Sequence, residues 1–307
     1  MAGKLIFIPF AFDSAKKTGN NIKNSKAAYD IYCKNFCVAL VSMKKENPDC
    51  DVALVTNTSV PGVYEEILTK NNIKIFIEQF ESFTFPDDFP WSLAFYKLCA
   101  LNAMVKDNDY DFYCYLDADT VANRSLDGVW KEAEHNILLY DINHGFNVEN
   151  YRKFIQCAAD FYGEEKVITQ YGGEFFAANR ENATKYVAVL LEVYRELRER
   201  NFAFRQGDEF IVALAANRLK DSIRNAGAYI YRYWTGYPFR LVSTCYEYNP
   251  VSVLHMPDEK KDGIIKIFDC YVAKGKYPSR EKIYKLCHLR NPKLKNVIRI
   301  FLARLLK

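Results

Sequence analysis

Residues 113–120 read Tyr113-Cys114-Tyr115-Leu116-Asp117-Ala118-Asp119-Thr120, an apolar and aromatic run that ends in two carboxylates one residue apart. Such a run is typical of a buried strand that delivers acidic side chains to the edge of a sheet. If the strand stays extended, Asp117 and Asp119 lie on one face of it, because side chains at i and i+2 point the same way. Two carboxylates that close together repel each other unless a cation or a proton neutralises them.

An Asp-x-Asp spacing alone is a weak signal, since aspartate is also common in turns. Its context strengthens the signal here. The preceding run is apolar on both faces, as in a strand of a parallel sheet, and open α/β sheets bind ligands at the carboxyl ends of their strands. Because hard divalent ions prefer oxygen ligands, the pattern predicts an Mg²⁺ or Mn²⁺ site at Asp117 and Asp119.

The composition is that of a globular protein. The chain has 307 residues, half of them hydrophobic, which is enough for a sizeable core. A net charge of +4 is too small to indicate nucleic-acid binding. Nine scattered cysteines without a Cys-x-x-Cys pair predict free thiols in a reducing cytoplasm. We expect no signal peptide, because the short N-terminal apolar run has no small-residue cleavage site, and no membrane-spanning helix, because no apolar run approaches ~18 residues.

Short apolar strands alternate with helices before the two acids. The pattern predicts strands at 5–10, 52–56, 73–77 and 111–116, and helices at 25–46, 63–70 and 91–105. This order is typical of βαβ units in a parallel sheet. The aromatic and proline-rich stretch 80–91 interrupts it, and is either a functional loop or a loop that covers a core edge.

The second half of the chain is less regular. We predict helices at 126–133, 181–200 and 210–219, strands at 137–140, after Gly172-Gly173 and at 251–254, and a turn at 143–146. Asp208 stands in the first turn of the helix at 210–219, where either capping or a functional role explains it. The aromatic run 229–234 suits either stacking on sugar faces or core packing.

The order of these features resembles the nucleotide-sugar glycosyltransferases of the GT-A fold. In that family a Rossmann-like half carries an Asp-x-Asp at a strand end, here Leu116-Asp117-Ala118-Asp119. The motif order is closest to the retaining glycogenin and lipooligosaccharide galactosyltransferase group, family 8-like. The resemblance covers about residues 4–265. It implies an α/β fold with a Rossmann-like, mixed but mainly parallel sheet flanked by helices.

In that group a strand-ending His binds the metal ion and a following loop with Gly and Lys contacts the phosphates. The resemblance implies that His255 is a third metal ligand beside Asp117 and Asp119, and that Lys260 or Lys261 is the phosphate contact. The loop departs from the usual His-Phe-x-Gly-x-x-Lys-Pro-Trp pattern, because His255 is followed here by Met-Pro-Asp-Glu-Lys-Lys.

Two further segments match the group by position. Tyr171-Gly172-Gly173-Glu174-Phe175 stands where the group has an Asn-Ser-Gly segment beside the sugar and acceptor, and Asp208-Glu209 stands where it has an Asp-Gln-Asp segment that contacts the transferred sugar. We therefore predict Glu174 and Asp208 as catalytic acids. One of them is the general base if the enzyme inverts configuration, whereas neither need be if it retains.

The nucleotide is expected where the first and second strands end, at the switch point of the sheet. Lys97, on the helix before the metal motif, matches a cation that touches the donor in this family. The predicted donor-binding residues are Phe10, Ala11, Asp13, Asn57, Lys97, Asp117, Lys260 and Lys261.

We predict a domain at 1–278, with a nucleotide-binding half at 1–120 and a sugar- and acceptor-binding half at 121–278. Residues 279–307 form a basic amphipathic helical tail. Such a tail is typical of a membrane-surface or partner contact, or of a helix that docks on its own domain. We expect a cytoplasmic protein, peripheral to the inner face of the membrane.

The predicted function is metal-dependent transfer of a sugar from a nucleotide-diphosphate sugar, foremost a UDP-sugar, to a glycan or lipid-linked acceptor in bacterial surface polysaccharide synthesis. One alternative is a haloacid-dehalogenase-like phosphatase with Asp117 as nucleophile, since Leu116-Asp117-Ala118-Asp119-Thr120-Val121 resembles that family's Asp-x-Asp-x-Thr pattern. The position of the motif argues against this alternative, because those phosphatases place the nucleophile near the start of the domain, whereas three strand–helix units precede the motif here. The other alternative is a degenerate sugar-nucleotide binding module, which would have little need of the complete set of site residues.

Overall fold

The computed structural model describes residues 3–12, 25–86, 89, 92–143, 148–236 and 251–289, with the single positions 298, 301, 302 and 305. Strands and helices alternate in the first half, as predicted. The elements are β1 (Lys4–Phe10), α1 (Ser25–Glu46), β2 (Asp51–Thr56), α2 (Gly62–Lys70), β3 (Lys74–Ile77), α3 (Tyr96–Asp107) and β4 (Phe112–Leu116). β1 pairs in parallel with both β2 and β4, and β2 pairs in parallel with β3.

The second half adds reversed and short strands. Its elements are β5 (Thr120–Ala122), α4 (Asp127–Ala133), β6 (Ile137–Asp141), α5 (Val148–Tyr162), β7 (Tyr171–Asn179), α6 (Arg180–Glu199), α7 (Asp208–Arg218), β8 (Ile223–Asn225), β9 (Ile230–Arg232), β10 (Val253–His255), α8 (Gly263–Lys274) and α9 (Arg280–Leu286). β7 runs antiparallel between β4 and β6. The main sheet has the order β3-β2-β1-β4-β7-β6-β8, and a second sheet has the order β5-β10-β9. The mixed, mainly parallel α/β class is confirmed.

The central strands separate two hydrophobic cores, because successive side chains of a strand point to opposite faces. Ile6 and Ile8 of β1 belong to the core formed with α1, α8 and α9, whereas Leu5 and Phe7 belong to the core formed with α3, α6 and α7. All four side chains are fully buried. Helices on both faces therefore explain why β1 and β4 read as nearly continuous apolar runs.

The aromatic stretch 80–91 covers a core edge, in so far as the structure describes it. Phe83 is buried. The ring of Phe85 lies 4.2 Å from that of Phe95 and 5.6 Å from that of Phe204, between centroids. Of the two interpretations of this stretch, packing against the core is the one that these contacts support.

α9, at the start of the predicted tail, packs on the domain. Ile283 and Tyr284 are buried, and the Tyr284 hydroxyl donates a 2.7 Å hydrogen bond to Asn123 Oδ1. Just after the helix, His288 Nδ1 lies 2.9 Å from the buried carboxylate of Glu259. The boundary at 278 and the membrane contact stay predictions, since most of 290–307 lies outside the described residues.

Two further points concern membranes and turns. Among the residues that the structure describes, no helix is both long enough and apolar enough to cross a lipid bilayer. The turn predicted at 143–146 falls largely outside the described residues, as does Asp13.

Candidate active site

A cavity of about 490 Å³ opens at the carboxyl ends of β1 and β4. This is the switch point of the sheet, because the chain builds β2 and β3 on one side of β1 and β4 on the other. The cavity is lined by Phe10, Ala11, Phe12, Ala28, Tyr32, Leu93, Ala94, Tyr96, Lys97, Asp117, Ala118, Asp119, Asn150, Lys153, Gln170, Arg205, Gln206, Gly207, Asp208, Glu209 and Lys260.

The two acids lie in a turn between β4 and β5. β4 ends at Leu116, and the Thr120 hydroxyl donates a 2.7 Å hydrogen bond to the carbonyl of Asp117. The strand therefore ends where it was predicted to end, and the acids converge through a turn rather than along one face of an extended strand, because side-chain to backbone bonding closes the turn at once. The Met256 amide donates to the carbonyl of Asp119 (3.0 Å), which places the preceding His255 beside the acids.

Asp117, Asp119 and His255 converge as the sequence predicted. One ligating atom from each lies within 4.8 Å of the others, and His255 Nε2 is 3.3 Å from Asp119 Oδ2. Asp117 Oδ1 and Asp119 Oδ2 are buried, yet neither has an aligned hydrogen-bond partner among the described residues. Two carboxylates and one imidazole form a donor set that suits Mn²⁺ or Mg²⁺, so these residues fit such an ion.

Two lysines lie within ion-pair distance of the acids. Lys260 Nζ lies 3.0 Å from Asp119 Oδ2, while Lys97 Nζ lies 3.4 Å from Asp117 Oδ1 and 3.2 Å from Asp208 Oδ2. Lys260 and Lys97 both line the cavity. Lys261 is exposed and does not line it, so the structure brings only the first of the two candidate loop lysines to the site.

Burial and charge shift the pKa values of the three candidate ligands in different directions. Burial raises the pKa of Asp117 above its usual range, although Lys97 opposes the shift. Burial acts in the same sense on Asp119, but Lys260 and His255 outweigh it and hold the pKa of Asp119 well below its usual range. Burial lowers the pKa of His255, but Asp119 and Glu174 overcome it and raise that pKa to about 9.

Asp208 can contact Lys97 because the neighbouring residue of β7, Gly173, has no side chain. A Cβ atom on Gly173 would lie 2.1 Å from Asp208 Oδ2 and 2.8 Å from Lys97 Nζ, distances that no real side chain tolerates. The paired glycines were expected to allow a close approach, and this is the approach that they allow.

Glu174 lies outside the cavity lining. Its side chain is 1% exposed and does not line the cavity. Arg232 donates to Glu174 Oε1 from Nε at 2.8 Å, and Arg232 Nη2 lies 2.6 Å from the same oxygen. The catalytic role predicted for Glu174 stays a prediction. The surroundings of the carboxylate are those of a buried ion pair.

Glu209 is the acid that the sequence analysis did not single out. It lines the cavity, and Gln170 Nε2 donates a 3.0 Å hydrogen bond to its Oε2 atom. Burial raises the pKa of Glu209 to about 7, although Arg232 opposes the shift. The resemblance matched Asp208-Glu209 to a segment that contacts the transferred sugar, but the predicted catalytic role went to Asp208 and not to Glu209.

The other end of the cavity is aromatic. Phe10, Ala11, Phe12 and Tyr32 line it at the exit of β1. Asn57 does not line the cavity, but its Oδ1 atom accepts a 3.0 Å hydrogen bond from the Phe12 amide and thereby holds the exit of β1 in place. An apolar, partly aromatic end beside a charged centre suits a heterocyclic base next to its phosphates.

No family model and no curated protein sequence matches this chain. Solved structures do match it. The galactosyltransferase LgtC, in a complex with donor and acceptor sugar analogues, is 13% identical with a TM-score of 0.55, and the match covers 97% of this chain and 99% of LgtC. The chain has the GT-A fold.

Two further GT-A structures support the assignment of the fold. An active-site mutant of LgtC matches at a TM-score of 0.53 and 14% identity, over 82% of this chain and 86% of that one. Mouse xyloside xylosyltransferase 1, in its apo form, matches at a TM-score of 0.51 and 14% identity, over 83% and 96%. At these identities the likeness concerns the GT-A fold alone.

Proposed function

We propose that this protein is a glycosyltransferase that uses a nucleotide-diphosphate sugar and a divalent cation, Mn²⁺ or Mg²⁺. The observation that carries the proposal is the convergence of Asp117, Asp119 and His255 at the switch point of a GT-A fold, where the two acids line one cavity. The similarity to glycosyltransferases of the same fold supports it.

The residues around the acids suit a diphosphate. The bound ion would neutralise charge that develops on the leaving diphosphate as the bond from the sugar carbon to oxygen breaks. Lys260, beside Asp119, would hold a phosphate oxygen by a charge-assisted hydrogen bond. Phe12 and Tyr32 would contact the nucleoside, for which we propose uridine, at the aromatic end of the cavity.

The opposite end of the cavity suits the transferred sugar. Asp208 and Glu209 present carboxylates there, and Lys97 holds Asp208 in place. Carboxylates accept hydrogen bonds from sugar hydroxyls, and either acid could take the proton of the acceptor hydroxyl as its oxygen bonds to the sugar carbon. We propose a glycan or lipid-linked acceptor that enters beside Asn150 and Arg205, at the rim.

The phosphatase alternative loses its basis. It depended on a haloacid-dehalogenase-like fold with the nucleophile near the start of the domain, whereas the chain has the GT-A fold and places Asp117 after its fourth strand. The binding-module alternative predicts donor binding without turnover, so an activity measurement separates it from the transferase.

The test is to incubate the purified protein with a panel of nucleotide sugars and Mn²⁺ and to measure release of the nucleotide diphosphate. We expect slow, Mn²⁺-dependent hydrolysis of one donor without any acceptor, and loss of it in Asp119→Ala. Asp109→Ala is the matched control, because the Asp109 side chain is almost fully exposed and pairs only with Arg180 among the described residues. No nucleotide binding across the panel, together with phosphatase activity that depends on Asp117, would overturn the proposal.

A further inference from the structure

A row of buried and partly buried charged side chains begins at His255, one of the candidate metal ligands. It runs from His255 through Glu174 and Arg232 to Glu209, so it joins the metal end of the site to the acid beside Gln170. His255 Nδ1 lies 3.3 Å from Glu174 Oε1, and Arg232 Nη2 lies 3.9 Å from Glu209 Oε1. Buried charges of this kind are costly to desolvate, so their presence calls for a reason.

The backbone fixes two members of this row side by side. β9 and β10 are parallel neighbours, and Arg232 is the register partner of His255. The Tyr233 amide donates a 2.7 Å hydrogen bond to the His255 carbonyl, which continues the pairing beyond β9. Arg232 and His255 therefore share one face of the second sheet, and Glu174 reaches both of them from β7 in the first sheet.

The space for the Glu174 carboxylate also depends on its own strand. A Cβ atom on Gly172 would lie 1.8 Å from Glu174 Oε2, so only glycine leaves room for the carboxylate there. Arg232 then holds Glu174 Oε1 from two nitrogens, Nε at 2.8 Å and Nη2 at 2.6 Å. The carboxylate is thus fixed in position, and the same oxygen lies 3.3 Å from His255 Nδ1, a buried atom without another hydrogen-bond partner among the described residues.

We propose that Glu174 is a positioning residue for His255 and that Arg232 holds Glu174 in that role. A carboxylate beside Nδ1 favours a proton on that nitrogen, so a bound ion would displace the proton on Nε2, the nitrogen at the side of Asp119, and take the Nε2 lone pair. Glu174 therefore acts on the metal site from behind rather than on the sugar. This inference rests on the proposed function, because it presupposes an ion at Asp117, Asp119 and His255.

The test measures Mn²⁺ affinity directly, by electron paramagnetic resonance of free Mn²⁺ with and without UDP. We expect Glu174→Gln to weaken Mn²⁺ binding by about 10-fold to 100-fold, the usual effect of removing a group that orients a metal-bound imidazole. In a His255→Ala background the same substitution should cause no further loss. Glu196→Gln is the matched control, since Glu196 pairs with Arg200 and Arg218 on the surface.

A second variant guards against a trivial failure to fold. In Glu174→Gln the positive charge of Arg232 loses the negative charge that Glu174 supplies, which destabilises the fold. The double variant with Glu174→Gln and Arg232→Gln removes both charges. We expect this double variant to unfold cooperatively near the wild-type temperature yet to retain the weakened Mn²⁺ affinity. A purely structural ion pair would restore the affinity along with the fold.

Unchanged Mn²⁺ affinity in Glu174→Gln would overturn the inference, and so would an equal further loss in the His255→Ala background. Either result leaves the proposed function intact if Asp119→Ala still abolishes binding. By contrast, a wild-type protein that binds no Mn²⁺ with UDP present would contradict the proposed function and the inference together.

Discussion

Lys97 joins the Asp-x-Asp turn to the start of α7, because its Nζ atom lies 3.4 Å from Asp117 Oδ1 and 3.2 Å from Asp208 Oδ2. Burial alone would lower the pKa of Lys97, but Asp117 and Asp208 raise it well above its usual range. One buried cation thus holds two acids from distant parts of the chain at the same cavity.

Replacing Lys97 with Met should destabilise the protein, since it leaves two buried carboxylates without their shared cation. Removing one partner of a buried ion pair costs about 3–5 kcal/mol in the free energy of unfolding. We expect Mn²⁺ to restore part of this loss, because the ion would neutralise Asp117. Urea unfolding with and without Mn²⁺ measures both effects, with Lys106→Met, at an exposed position of the same helix, as control. A loss below 1 kcal/mol would show that the ion pair matters little.

Gly173→Ala should abolish donor turnover while the protein still folds. The new methyl group would displace Asp208 and Lys97, whose atoms lie 2.1 and 2.8 Å from the position of its Cβ atom. Gly62→Ala is the matched control, because a Cβ atom there meets nothing within 4 Å. Turnover and thermal unfolding are measured together, and full turnover in Gly173→Ala would remove Asp208 from the working site.

Lys260→Gln should weaken UDP-sugar binding by about 10-fold or more, since a charge-assisted hydrogen bond to phosphate contributes roughly 1.5–3 kcal/mol. Lys261→Gln should bind as the wild type does, because Lys261 is exposed and does not line the cavity. Calorimetric titration with UDP and Mn²⁺ compares the neighbouring variants. Equal losses in both would mean that the loop, rather than one lysine, determines the affinity.

Glu209 should make the stability depend on pH. Its pKa is about 7 in the folded protein, above the usual 4.5, so between these values the folded state holds a proton that the unfolded state has lost. Stability therefore falls as the pH rises from 4.5 to 7, by at most about 3 kcal/mol. Urea unfolding of the wild type and of Glu209→Gln across this range should show that the unfolding free energy depends less on pH in the variant. The same pH dependence in both proteins would contradict the raised pKa of Glu209.

The strand ends were predictable from the sequence. Asp117 and Asp119 follow a buried apolar run, so local patterning placed both acids at a sheet edge, whereas His255 was assigned to the same site from the resemblance to the GT-A family. Which of Lys260 and Lys261 reaches the site was not predictable, because that choice depends on how the loop after β10 turns.

Arg232 was missed for a different reason. It lies within an aromatic run, and its partner Glu174 is 58 positions away on β7, so no local pattern connects the two residues. Three-residue strands such as β8 and β9 are too short to show a period. α5 was also overlooked, although Tyr151, Phe154 and Ile155 follow a helical spacing.

The central claim is that Asp117, Asp119 and His255 hold a divalent ion against a nucleotide diphosphate. Calorimetric titration of UDP into the protein, with Mn²⁺ and then with EDTA, tests it most directly. We predict saturable binding with Mn²⁺ that is lost with EDTA and lost in Asp119→Ala, while Asp109→Ala binds as the wild type does. UDP binding of equal strength with EDTA, or in Asp119→Ala, would contradict the claim.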